Sequence, residues 1–181
     1  MRRVPFGAVL ISLLAIVALG AVISVAPSNE NSAPSKSPST NQVACTVSGT
    51  TLIVDYGDSQ GSAQSYCVEN FAGSGWQLLQ EAGLNIVGTA EYPESFLCRI
   101  NDVPAADAED CLGTPSFSTG TWVYYVASAG TAGGSWVRSG MGATARKPSC
   151  GEVDGWRFVT SNTDANSPPR FEPKPFTCEI K

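Results

Sequence analysis

The chain contains no histidine. That absence excludes a Ser-His-Asp triad, a Cys-His pair and any histidine-ligated metal built from this polypeptide alone. It also lacks a Cys-x-x-Cys spacing and an Asn-x-Ser/Thr sequon, so neither a paired-thiolate metal site nor N-glycosylation is signalled. Charge is scarce: 15% of residues are charged, with 11 basic against 16 acidic and a net of −5. Without Arg2 and Arg3, nine basic residues face 16 acidic ones, a net of −7. Such a surface repels phosphate backbones and argues against a nucleic-acid partner. At 181 residues the chain has room for one domain with appendages, not two full domains.

Only one long hydrophobic run is present. Arg2 and Arg3 precede an uncharged apolar stretch from Phe6 to Ala26. Residues 1–26 therefore serve as a signal peptide or as an N-terminal membrane anchor. Ser24-Val25-Ala26 and Ala18-Leu19-Gly20 both have the small-x-small form, although Pro27 disfavours the first. The 21 residues from Phe6 to Ala26 also reach the length of about 20 that spans a bilayer. Both readings predict a protein secreted, or anchored on the outer face of the cytoplasmic membrane, that touches membrane only through this segment. Residues 27–44, rich in Pro, Ser, Asn and Thr, read as a disordered linker. The ordered domain is expected over 45–159. A Pro-rich tail over 160–181 ends in Phe176-Thr177-Cys178, which predicts that it is tied back to the body.

Six cysteines in an exported chain read as three disulfides with no free thiol. Fifteen pairings are formally possible. The short Cys98–Cys111 loop between strands favours that pair. Cys45 and Cys178 bracket the domain and are expected to staple its ends, which leaves Cys67 with Cys150.

Thr50 to Tyr56 alternates, with Leu52, Val54 and Tyr56 on one face. Ser74 and Gln77 form a capping box for a short helix that stops at Gly83. Ile86-Val87, Phe96 to Val103, Trp122 to Ala127 and Val153 to Phe158 read as strands. Both faces of Trp122–Ala127 are apolar, the mark of a central strand. Gly133-Gly134 turns it into a hairpin with Ser135–Arg138. One short helix on a mainly β sheet makes an α+β domain.

Phe96-Leu97-Cys98-Arg99-Ile100-Asn101-Asp102-Val103-Pro104, Cys111, Trp122–Tyr125, Gly134-Ser135-Trp136, Gly142, Lys147-Pro148 and Gly151-Glu152-Val153-Asp154-Gly155-Trp156-Arg157-Phe158 follow one order. Over about Thr50 to Val159 this order resembles exported actinobacterial proteins of the transcobalamin-like C-terminal domain family, also called DUF4430. The resemblance implies a β-grasp-like fold and a non-catalytic role in binding. Its ligand would be a small molecule, a corrinoid-like one among them, or a partner protein at the cell surface. Cys45, Cys150 and Cys178 depart from the family pattern and imply a more heavily stapled variant.

Aromatic side chains supply the candidate ligand surface: Trp122, Tyr125 and Trp136, around the Trp122–Trp136 hairpin. Tyr124 and Trp156 read as core. Asp102, Asp107, Glu109 and Asp110 form an acidic loop that lacks the spacing and glycine of a calcium loop and reads as solvated. Asp55 and Asp58 suit either acid–base work or a turn, and turn chemistry explains them with less effort. No catalytic set, resident metal or cofactor is expected. A protease inhibitor presenting Arg99 and a purely structural surface domain are the alternatives.

Overall fold

The computed structural model describes residues 39–41, 43–59, 62–130, 134–161 and 164–178. The expected signal or anchor segment lies outside them, as does most of the linker. Among the described residues, no helix is long and apolar enough to cross a membrane.

The strands are β1 (Ser39–Asn41), β2 (Thr50–Asp55), β3 (Gln64–Glu69), β4 (Ile86–Gly88), β5 (Leu97–Ile100), β6 (Thr121–Ala127), β7 (Val137–Arg138) and β8 (Val153–Val159), with helix α1 over Gly75–Glu81. Six strands form one sheet in the order β1-β3-β2-β8-β6-β7, and β4 pairs with β5 apart from it. β2 and β8 run parallel at the centre, and the other pairs are antiparallel. The domain is a small α+β fold, mostly sheet.

Alternation assigns every side chain of the central strands to one of two faces. On the helix face, Leu52, Val54, Tyr56, Trp122, Tyr124, Trp156 and Phe158 pack with Trp76, Leu78 and Leu79 of α1 in the main core. Each fully buried side chain of this size contributes about 1.5–3 kcal/mol. That packing sustains α1, since a seven-residue helix is marginal alone. The capping box forms as expected: Gln77 N–H donates to Ser74 Oγ (3.3 Å) and Ser74 N–H donates to Gln77 Oε1 (2.9 Å). Gly83, at φ +77°, ends the helix.

The opposite face belongs to the C-terminal tail. Ile53, Val153 and Ala127 cluster there with Trp136 and Phe171, and Val123, Tyr125 and Val159 extend the patch. The tail is clipped down by polar bonds: Tyr125 Oη to the Ala165 carbonyl (2.9 Å), Trp136 Nε1 to the Phe171 carbonyl (2.8 Å) and Arg157 Nη1 to the Pro168 carbonyl (2.6 Å). Arg170 reaches Asp55, whose carboxylate accepts from the Arg170 N–H (2.7 Å) and from Arg170 Nη2 (2.8 Å).

The three disulfides correct two of the expected pairings. Cys98–Cys111 is present as expected, but Cys45 joins Cys67 and Cys150 joins Cys178, in place of Cys45–Cys178 and Cys67–Cys150. The reason is strand pairing. Thr51 lies opposite Cys67 in the β2–β3 register, and Thr51 Oγ1 accepts from Cys45 N–H (3.0 Å), which brings the two cysteines to 4.8 Å between Cα atoms. At the other end, Phe176 N–H donates to the Gly151 carbonyl (3.0 Å), delivering Cys178 to Cys150. Three disulfides fit an oxidising, extracellular setting. Within the expected linker, Ser39–Asn41 pairs with β3 from Ser39↔Glu69 to Asn41↔Cys67.

Candidate functional site

The aromatic residues singled out from the sequence do not converge. Trp122 and Tyr125 are three residues apart on β6, so the sheet sends them to opposite faces. Trp122 is 6% exposed, in edge contact with Tyr56, and its Nε1 donates to the Val103 carbonyl (3.0 Å). Tyr125 is 3% exposed and its hydroxyl is spent on Ala165. Trp136 is half-buried over Gly155, with its N–H committed to Phe171. The expected aromatic surface is therefore core and tail contact. Tyr124 and Trp156 stack at 4.4 Å between ring centroids, buried as expected.

Other sequence candidates are accounted for locally. Glu109 accepts from Cys111 N–H (3.1 Å) and the Thr119 hydroxyl (2.7 Å), and Asp110 accepts from Leu112 N–H (3.0 Å). Among the described residues no cluster of three or more His, Cys, Asp or Glu could hold a metal ion. Asp55 takes the Gly57 N–H (3.0 Å), a turn bond, besides its Arg170 partners. Arg99 does not project: its Nε donates to the Pro104 carbonyl and its Nη2 to the Glu109 carbonyl, both at 2.6 Å.

A concavity suited to a ligand lies elsewhere. A cleft of about 950 Å³ opens beside the start of α1, between that helix and residues 144–150. Phe71 and Trp76 supply apolar surface, and Gln77, Gln80, Glu94 and Lys147 supply polar groups. The Gln77 oxygen is taken by Ser74 N–H, which leaves its amide nitrogen as the group it can offer a ligand. Lys147 makes no ion pair among the described residues.

A buried ionic network fixes the second wall of this cleft. Asp154 has no solvent exposure; it accepts from Arg146 Nε (2.9 Å) and from the Tyr124 hydroxyl. Arg146 Nη2 also meets Glu152 Oε2 (3.2 Å), and Glu152 accepts from Ser149 N–H (2.7 Å). The loop then grips the helix start, with Gly75 N–H donating to the Arg146 carbonyl (2.9 Å) and Trp76 N–H to the Ala143 carbonyl (3.2 Å). Residue 75 must be glycine here, because a Cβ would collide with the Tyr124 hydroxyl and come within 3.0 Å of Asp154 Oδ2.

Burial pushes the Asp154 carboxyl upward, against the opposing pull of Arg146 and Tyr124. Burial and the facing carboxylate also push the Tyr124 hydroxyl far up, so it keeps its proton and donates it. The network therefore positions the loop, with Asp154 itself shut off from solvent.

Sequence reasoning missed this arrangement. Its signal was two acidic residues, Asp55 and Asp154, at inward positions of otherwise apolar strands. A buried carboxylate demands a cationic partner, and Arg146 and Arg170 answer it. No family model, curated protein or solved structure matches this chain.

Proposed function

We propose that the protein is an exported, non-catalytic binding module whose ligand site is the cleft beside α1. The cleft carries this reading. Its volume of about 950 Å³ lies at the upper end of small-molecule sites, of about 300–1,000 Å³. Its walls combine an apolar surface with a few separated polar groups, the composition that orients a ligand without reacting with it. The two buried carboxylates, Asp55 and Asp154, are spent on arginines and structural hydrogen bonds.

The sheet order supports the β-grasp-like reading: first and last core strands parallel at the centre, each flanked by an antiparallel neighbour, with the helix between the two halves. Together with the sequence order from Thr50 to Val159, this favours kinship with the transcobalamin-like C-terminal domain family. A flat, corrinoid-like ligand is then the first class to test, and the N-terminal apolar segment is the export signal or anchor.

Titration with cyanocobalamin, followed by tryptophan fluorescence and thermal shift, tests the reading. We expect saturable quenching and a raised Tm, both weakened by Phe71→Ala and Lys147→Glu. Quenching that neither substitution alters would remove the cleft as the site. The absence of any shift with cyanocobalamin would remove the corrinoid class.

A further inference from the structure

We propose a second site, independent of the cleft: the open margin of β6 takes an extended, acidic peptide segment of a partner protein by strand addition. β7 pairs only with Tyr125 and Val126 of the seven-residue β6. It goes no further because the chain turns away after Arg138, where the Ser139 hydroxyl donates to the Met141 carbonyl (2.7 Å) and accepts from Met141 N–H (3.2 Å). The last main-chain bond across this margin runs from Ser139 N–H to the Tyr124 carbonyl (2.9 Å).

In an antiparallel ladder, alternate residues direct both N–H and C=O to the same side. Tyr124 points its carbonyl away from β8, so Trp122, two residues earlier, points its main-chain groups the same way. Among the described residues, no backbone group pairs with Trp122 on that side. A groove of about 320 Å³ lies there, lined by Phe96, Pro115, Phe117, Trp122 and Arg138 among others. The indole of Trp122 is core, yet its backbone is an unfilled rung.

Continuity and charge select the occupant. A segment extending the line of β7 places its first residue opposite Val123, its second opposite Trp122 and its third opposite Thr121. The first projects on the face that carries Arg138, which lies opposite Tyr125. Arg138 lines the groove and makes no ion pair among the described residues. An acidic residue at that first position therefore meets an available guanidinium. The second residue exchanges two main-chain hydrogen bonds with Trp122, and the aromatic walls suit an apolar side chain nearby. Strand addition of this kind draws affinity from the main chain and specificity from alternate side chains.

The probe is the tetrapeptide Glu-Val-Thr-Val, N-acetylated and C-amidated, added to the full chain while amide hydrogen exchange is followed by NMR. In the free protein the Trp122 amide should exchange faster than those of Val123 and Tyr125, and it should slow as the peptide saturates. Arg138→Ala, or Gln for Glu in the peptide, should weaken binding about two- to fivefold, as expected for an exposed ion pair. N-methylation of the amide that faces Trp122 should abolish protection. The proposal is overturned if the Trp122 amide is already slow in the free protein. It is also overturned if the N-methylated peptide binds equally, or if no protection appears at the highest soluble peptide concentration. Protection that grows with protein concentration alone would assign the margin to a second copy of this chain and overturn it as well.

Discussion

Trp136 packs against the bare Cα of Gly155: a Cβ built at position 155 would lie 2.5 Å from Trp136 Cη2 and 3.0 Å from Pro169 Cγ. Gly155 sits on β8, opposite Tyr125 in the register, so the missing side chain makes the space into which ring and tail fit. Gly155→Ala should force both aside and destabilise the domain by about 1–3 kcal/mol. Urea denaturation of Gly155→Ala, Trp136→Ala and the double variant checks this. The cost of the alanine should shrink once the indole is gone, and strictly additive costs would refute the contact.

The Asp55–Arg170 pair predicts acid release of the tail. Burial drives the Asp55 carboxyl upward, but the Arg170 guanidinium and the Arg170 and Gly57 N–H groups outweigh it and hold it below the ordinary value of 3.8. A group depressed in the folded state adds stability above its unfolded value and loses it as pH falls through the folded one. Melting temperature should therefore decline as pH drops below about 4. Asp55→Asn should be destabilised at pH 7 by about 1–3 kcal/mol, with a flatter acid limb. An unchanged acid limb in the variant would assign the decline to other carboxylates.

Arg146→Ala should respond to acid with the opposite sign. It leaves Asp154 buried with only the Tyr124 hydroxyl as partner, a loss of about 3–5 kcal/mol at neutral pH. Burial then raises the carboxyl further, and the variant should recover part of its loss as pH falls and Asp154 takes up a proton. Denaturation midpoints at pH 5 and 8 test it. A penalty independent of pH would mean that the loop moves away and hydrates the carboxylate.

The disulfide pairs are directly checkable by proteolytic peptide mapping under non-reducing conditions. Linked peptides should contain Cys45–Cys67, Cys98–Cys111 and Cys150–Cys178, with no alkylatable thiol before reduction. A Cys45–Cys178 peptide would contradict the strand pairing that brings Cys45 to Cys67. Replacing Cys150 and Cys178 by serine frees a 28-residue closure, worth about 3–4 kcal/mol in the chain-entropy account. It should also expose the tail to protease before the sheet.

What the sequence determined by itself was local. Alternation at Thr50–Tyr56 and Trp122–Ala127 specified strands and sorted their side chains onto two faces. Ser74, Gln77 and Gly83 specified where a helix starts and stops, and a short loop joined Cys98 to Cys111. Each of these depends on residues within a few positions of one another.

Tertiary structure decided what depends on residues distant in the chain. Tyr66-Cys67-Val68 joins the sheet as part of β3, and only its register against β2 brings Cys67 to Cys45. That the tail is tied back is legible in Phe176-Thr177-Cys178; that it lies over the second face depends on Arg170 meeting Asp55, 115 residues away. That placement turned Trp136 from candidate contact into half-buried packing. Periodicity reports that a face will be covered; which segment covers it depends on buried carboxylates finding their cations and on a glycine leaving room for a ring.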